Sequence, residues 1–252
     1  MKLALAQIAP KLSRQNEALH VSHVKACEGS CDAVIFPELS LNGYALKDAV
    51  FEDAYTQEEL KSLPLLSQQC DVVFGCVFKE HHRIYNASVY AHKSGEMTIY
   101  KKSTLPNYGL FQEARFFFKG EGIAPFQTQF GKTVMAVCED LFDASLVASI
   151  AKANPDVVLV LSNSPARGFG EELEIQQTWE TLLAACALHA KAYVVFVNRV
   201  GFEDGLGFWG GSCVVSPEGK KISQAPLFES ALLHVTLSKT LSNVQKYYLR
   251  HA

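Results

Sequence analysis

No apolar run in these 252 residues is long enough to cross a bilayer, and no leader-like segment precedes the first strand pattern, Lys2 to Ile8. Linkers rich in Ser, Gly or Pro are missing, as are internal repeats and low-complexity stretches. One domain over residues 1–252 is therefore the simplest organisation. Charge of one sign is also scarce. A net charge of -3 offers no basic surface for a nucleic acid or an anionic membrane. The seven cysteines have no regular spacing and sit among apolar residues, as in Phe74-Gly75-Cys76-Val77. That pattern excludes a disulfide framework and favours reduced thiols in a cytoplasm. His23, Cys27 and Cys31 fall four apart and share one helix face, but no fourth ligand is nearby, so packing rather than a metal is expected. The glycines from Gly205 to Gly211 are followed by neither Lys-Ser/Thr nor a helix, which excludes a phosphate loop. They are expected to form a tight loop.

At 48% hydrophobic and 19% charged, the chain can bury a sizeable core. Short apolar runs predict buried strands at Lys2–Ile8, 33–36, 72–78, 84–92, 97–101, 125–130, 133–138, 157–162, 193–200, 212–216 and 231–237. Lys93-Ser94-Gly95-Glu96 predicts a hairpin turn. Helical spacing covers 13–29, with Ser13 as cap, as well as 57–69, 146–153 and 171–190. Trp179, Leu182, Leu183 and Cys186 share a helical face, for the core or for a subunit contact. Helices alternate with strands in places and hairpins interrupt the alternation. This predicts an α+β chain with a mixed sheet, or two sheets, and helices outside. The stretch 104–122 is expected to be a long loop, and loops of that length tend to be functional.

Three polar residues close apolar strands: Glu38 after Val34-Ile35-Phe36, Lys102 after Ile99-Tyr100, and Cys138 after Val134 to Val137. Sites collect at such strand ends. A thiol at a strand-to-helix bend is either an inert buried cysteine or a nucleophile. With a carboxylate to take its proton and an ammonium to favour the thiolate and the oxyanion, it is equipped to attack an amide or nitrile carbon. Glu113 lies in the aromatic stretch Phe111 to Phe118 and needs a partner, which is Lys102, Arg115 or Lys119.

Phe36-Pro37-Glu38-Leu39, Lys102-Ser103-Thr104-Leu105-Pro106-Asn107-Tyr108, Phe111-Gln112-Glu113-Ala114-Arg115-Phe116-Phe117 and Val137-Cys138-Glu139-Asp140 follow one another along the chain. Together these blocks resemble the carbon–nitrogen hydrolase (nitrilase) superfamily over essentially the whole chain. The resemblance implies a four-layer αββα sandwich of two mixed sheets with helices outside. It also implies a catalytic set of Glu38, Lys102 and Cys138, with Glu113 supporting the lysine. Lys101 competes for the lysine role, and Lys102 is preferred because it stands three residues before Leu105-Pro106.

The branch it is most similar to is the glutaminase domain of glutamine-dependent NAD synthetases, through Leu161-Ser162-Asn163-Ser164-Pro165, Asn198-Arg199-Val200-Gly201 and the run from Asp204 to Ser212. By that likeness Tyr108, Glu139 and Ser164 contact the amino-acid end of a substrate. In this loop Arg167 comes earlier than the branch's basic residue does, so either Arg167 is the cation for the carboxylate from a rearranged loop or the substrate is not glutamine. No synthetase half follows before Ala252, so a separate ammonia-using synthetase is an expected partner. The implied activity is hydrolysis of a small, glutamine-like carboxamide to acid and ammonia without metal or organic cofactor. A homodimer or higher homo-oligomer is expected by the same resemblance. Two alternatives stay open: an amidase or N-carbamoyl hydrolase for another small amide, and a catalytically idle ligand-binding regulator. The intact Glu38, Lys102 and Cys138 speak against idleness.

Overall fold

A computed structural model describes residues 1–166, 173–238, 241 and 243–251, with side chains for all of these except 243 and 249–251. The strands run β1 (Lys2–Gln7), β2 (Ala33–Ile35), β3 (Asp71–Glu80), β4 (Arg83–Ala91), β5 (Met97–Lys101), β6 (Phe126–Thr128), β7 (Gly131–Val137), β8 (Val157–Ser162) and β9 (Tyr193–Asn198). Then come β10 (Val200–Glu203), β11 (Leu206–Trp209), β12 (Cys213–Val215), β13 (Lys221–Gln224) and β14 (Ala231–Thr236). One six-stranded sheet has the order β14-β1-β2-β3-β4-β5, and the other β13-β12-β9-β8-β7-β6. In each, three parallel strands form the centre, β1-β2-β3 and β7-β8-β9, and antiparallel strands flank them. Both sheets are mixed, and the chain is α+β.

Alternation along the strands explains the layering. Leu3 and Leu5 of β1 face Met135 and Val137 of β7, in an apolar layer between the two sheets. Ala4 and Ala6 point the other way, towards Val24 and Cys27 of α1 (Glu17–Cys27). Val134 and Ala136 point to Ile150 of α2 (Ala144–Ala153) and to Trp179, Leu183 and Cys186 of α3 (Glu174–Ala190). Helix, sheet, sheet and helix thus stack as four layers. Strands covered on both faces must be apolar on both, which is why they read as unbroken hydrophobic runs.

Several boundaries differ from the sequence expectation. The first helix starts at Glu17 rather than Ser13. Ser13 has a positive φ of 70°, and its hydroxyl donates to Asp53 instead of capping. The helix expected over 57–69 stops at Lys61, three residues before Pro64, although Thr56 and Glu59 cap its start reciprocally. The glycine-rich stretch is not a loop but the β10–β11 hairpin, with Asp204 and Gly205 both at positive φ in its two-residue turn. The helix expected over 171–190 begins at Glu174, and residues 171 and 172 lie outside the described residues. The loop 104–122 contains a single helical turn, Glu113–Phe116, and a helix not expected at all covers Asn243–His251.

Cys31 lies beyond the end of α1, not on its face, with its sulfur 3.2 Å from His234 Nδ1. Among the described residues no three His, Cys, Asp or Glu side chains stand close enough to hold a metal, and no helix is long and apolar enough to cross a membrane.

The chain leaving β2 turns back tightly over β3. A Cβ on Gly75 would fall 2.2 Å from the Leu39 nitrogen and 2.7 Å from the Glu38 carbonyl carbon. Gly75→Ala is therefore expected to push this backbone away and destabilise the fold by about 1 to 3 kcal/mol, read as a lowered urea midpoint. An unchanged midpoint would show that the turn has room to spare.

Candidate active site

The topology gathers the strand ends on one rim. Glu38 leaves the C-terminal end of β2, Cys138 that of β7, and Ser162 closes β8. Two antiparallel steps, β3 to β4 and β4 to β5, return β5 to the direction of β3, so Lys102 emerges on the same rim as Glu38. The one-turn helix of the long loop brings Glu113 to Lys102.

Lys102 Nζ donates to Glu38 Oε1 and to Glu113 Oε1, each at 2.8 Å. All three side chains are buried. Glu38 Oε1 also accepts from Asn86 Nδ2 at 2.7 Å, and Oε2 accepts from the Asn163 backbone N–H at 2.8 Å. Glu113 Oε1 takes a second donor, the Tyr44 hydroxyl, at 2.8 Å. Cys138 adjoins this group, and its sulfur accepts from the Ser162 hydroxyl at 3.4 Å. Cys138 has φ 45°, in the left-handed region that costs a residue with a Cβ roughly 1 to 3 kcal/mol. Leu39, next to Glu38, is held similarly at φ 47°. Strain of this kind persists only where the surroundings enforce it.

One cation among two carboxylates and a thiol sets the electrostatics. Burial pulls the Lys102 ammonium towards neutrality, but Glu113, Glu38 and the Cys138 sulfur together hold its pKa well above the ordinary lysine value. Burial pushes the Glu113 carboxyl up to about 7; Lys102 opposes this, the charge of Glu38 adds to it, and the Tyr44 donor works against it. A carboxylate bonded to an ammonium ordinarily titrates low. Here burial and a second carboxylate outweigh the ammonium. The Cys138 thiol is raised as well, by burial first and by the Glu38 charge next, while Lys102 and the Ser162 hydroxyl favour the thiolate. The resting sulfur is therefore a thiol, and any thiolate chemistry there would need a base.

Lys101 points elsewhere. Its ammonium pairs with Glu80 at 2.5 Å and lies over the Tyr85 ring. Arg115 is exposed and 4.0 Å from Asp48, so Lys102 is the partner of Glu113. Tyr108, half-exposed, donates its hydroxyl to Glu139 Oε1 at 2.8 Å. Ser164 is buried behind the rim, and its hydroxyl oxygen accepts from the indole N–H groups of Trp179 at 2.8 Å and Trp209 at 3.3 Å. Arg167 lies outside the described residues.

Sequence reasoning missed several members. Asp140 is the most consequential. Its Oδ2 accepts from the Val137 N–H and the Tyr100 hydroxyl, and its Oδ1 from the backbone N–H groups of Ser103 and Thr104. One buried carboxylate thus ties the turn bearing Cys138 to the segment bearing Lys102. Burial raises its pKa, and the Val137, Tyr100 and Thr104 donors and the Lys102 charge oppose the rise. The only sequence signal was an acid placed two residues after a cysteine that ends an apolar strand. Tyr44, Asn86 and Ser162 carried no local signal.

Residues 2–246 match the family model for carbon-nitrogen hydrolases. A glutamine-dependent NAD(+) synthetase of Acinetobacter baylyi is 32% identical over 240 residues, covering 92% of this chain and 43% of the relative. The structure of a glutamine-dependent NAD+ synthetase from Acinetobacter baumannii superposes with a TM-score of 0.83 at 28% identity, over 98% of this chain and 50% of that one. An amidase of the nitrilase superfamily from Nesterenkonia AN1 shares the fold, with a TM-score of 0.79 at 23% identity over 100% of this chain and 94% of that one. The chain spans less than half the length of the curated synthetase it matches. With a match over nearly its entire length and the fold that goes with it, the chain belongs to the carbon-nitrogen hydrolase family and is an enzyme of that class.

Proposed function

We propose that residues 1–252 act as one domain that hydrolyses a small, glutamine-like carboxamide to the acid and ammonia through a thioester on Cys138. The observation that supports this best is a single buried ammonium, Lys102, bonded to Glu38 and Glu113 beside the Cys138 sulfur. Glu38 takes the thiol proton as sulfur attacks the carboxamide carbon. Lys102 and the backbone N–H of Glu139 hold the oxyanion; removing one such donor costs roughly 3 to 4 kcal/mol of barrier. Glu38 passes its proton to the nitrogen as the C–N bond breaks, so ammonia leaves and a thioester remains. It then deprotonates a water that attacks the thioester carbon. The sulfur departs as the acid forms, and the thiol recovers the proton. Every proton is carried by Glu38, and no metal or organic cofactor enters.

The substrate's amino-acid end is assigned to Tyr108 and Glu139 at the rim and to Ser164 behind it, with Arg167 for the carboxylate. A separate synthetase is the proposed consumer of the ammonia, by analogy with the synthetases this chain resembles. Self-association is proposed through α2 and α3. Between them these helices leave a largely apolar groove of about 500 Å³ lined by Phe142, Val147, Ala148 and Leu182.

Incubation with a carboxamide panel should release ammonia from glutamine or a close analogue, and Cys138→Ala should abolish the release while preserving the fold. Release only from amides or N-carbamoyl compounds lacking an α-amino acid end would move the substrate class. Ligand-induced thermal stabilisation without turnover would favour the regulator.

The pH dependence follows from Glu113. Its carboxylate holds Lys102 in place, and its pKa is near 7, so kcat/KM should fall as pH drops through about 7. Glu113→Gln should remove that limb and lower the plateau. A limb that survives the substitution assigns it to another group.

Asp140→Asn leaves the Val137 N–H and the Tyr100 hydroxyl facing an amide instead of a carboxylate oxygen. A loss of about 1 to 3 kcal/mol in urea unfolding is expected, with a fall of about a hundredfold in kcat from misplacement of Cys138 against Lys102. Near-normal kcat would show that the two segments keep their places without it.

A further inference from the structure

A second buried ion pair lies away from the reacting sulfur. Arg199 follows β9, and its Nη1 donates to Glu203 Oε2 at 2.8 Å; both side chains are buried. The guanidinium also donates to the Pro10 carbonyl at 3.1 Å and lies 4.2 Å from the Phe208 ring centroid. A pair this deep costs desolvation energy, so it is weak evidence for stability by itself. What it holds gives it a purpose. The other oxygen, Glu203 Oε1, accepts the backbone N–H groups of Tyr44 at 2.8 Å and Ala45 at 2.7 Å. Tyr44 in turn donates its hydroxyl to Glu113 Oε1, the oxygen that accepts Lys102. The chain approaches so closely that only glycine fits before Tyr44: Gly43 has φ 78°, and a Cβ there would lie 2.9 Å from Glu203 Oε2. The exposed pair Lys47–Asp204, at 3.1 Å, joins the same two segments through solvent and adds little.

We propose that Arg199 and Glu203 are positioning residues for the reaction: they clamp the Tyr44 backbone so that its hydroxyl stays on Glu113 and, through Glu113, sets the place and charge of Lys102. Neither touches the reacting atoms. This rests on the reading of the site given above, in which Lys102 and Glu113 serve Cys138. The groups facing Glu113 are Lys102, Glu38 and Tyr44. Without the tyrosine donor Glu113 holds its proton to higher pH, and a neutral Glu113 repels the Cys138 thiolate less. Loosening the clamp should therefore have the same consequence as removing the hydroxyl.

The test is a double-mutant cycle of Tyr44→Phe and Glu203→Gln, with Arg199→Lys as the conservative variant and circular dichroism to establish folding. Two readouts are taken: steady-state ammonia release, and the rate of Cys138 alkylation by iodoacetamide against pH, located by peptide mass spectrometry. Each single variant should lower kcat about tenfold with KM within twofold. Each should also change the alkylation profile, with labelling about threefold faster just above pH 7, where the variant keeps Glu113 protonated and the wild type does not, and equal rates at higher pH. The double variant should show one shift and one loss, not their product, because both substitutions break the same chain. Arg199→Lys should recover most of the rate. Losses that multiply, or an unshifted alkylation profile in folded Glu203→Gln, would overturn the clamp. If the wild-type chain releases no ammonia from any amide, the hydrolase reading fails, and the alkylation cycle alone decides whether the clamp exists.

Discussion

The ammonium of Lys102, sealed between Glu38 and Glu113, is the interaction on which the rest of the site depends. Burying any one of these charges costs several kcal/mol, and the cost is met only if the partners stay within hydrogen-bond reach. Three elements must therefore meet: the turn after β2, the end of β5 and the one-turn helix of the long loop. Removing one partner strands a buried charge, a change that costs about 3 to 5 kcal/mol. Misplacement of these chain segments is resisted by electrostatics as well as by packing. In the function proposed above the same contacts supply the chemistry, with the carboxylate as base and the ammonium as oxyanion donor.

Around that core the polar contacts share one logic: each ties backbone to carboxylate across a long sequence separation. Glu38 receives the Asn163 N–H, Asp140 receives those of Ser103 and Thr104, and Glu203 receives those of Tyr44 and Ala45. Loops cannot bury their N–H groups without partners, so a carboxylate placed under each loop satisfies the donors and fixes the loop. This accounts for the number of acids buried on a single rim. It also explains how Cys138 and Leu39 are kept at positive φ, since the residues beside them are held by bonds from other elements.

The parts of the molecule that were legible in the sequence are those governed by local rules. Strands between two packed layers must be apolar throughout, so β1, β7, β8 and β9 announced themselves, and the polar residues closing them marked the rim. Glu38, Lys102 and Cys138 stood out because a charged group or a thiol ending such a run is conspicuous. Tyr44 did not, because its partner is 69 positions away and nothing around it differs from an ordinary turn. Asp140 sat beside the cysteine, yet its function is to collect four donors from two segments, a fact of tertiary structure alone. The hairpin β10–β11 was hidden by its own glycines. Their density suggested an irregular loop, while Asp204-Gly205 supplied the two positive φ angles of a tight strand reversal.

A shifted titration does not by itself single out Cys138. Burial alone pushes the Cys186 thiol up to about 12, and Cys213 reaches about 12 with burial as the largest cause. Cys213 also feels an ammonium and a carboxylate, Lys221 and Glu180, but that pair is part-exposed at the surface. Cys138 differs in that its carboxylate and ammonium, Glu38 and Lys102, are themselves buried and bonded to each other beside the sulfur. Burial and the Glu38 charge outweigh the ammonium at rest, so the sulfur stays protonated. In the reaction proposed above, the balance shifts when Glu38 accepts the proton as the sulfur meets the substrate carbon. A buried thiol paired with a dedicated base is then most reactive in the complex with its substrate, which a permanently ionised one is not.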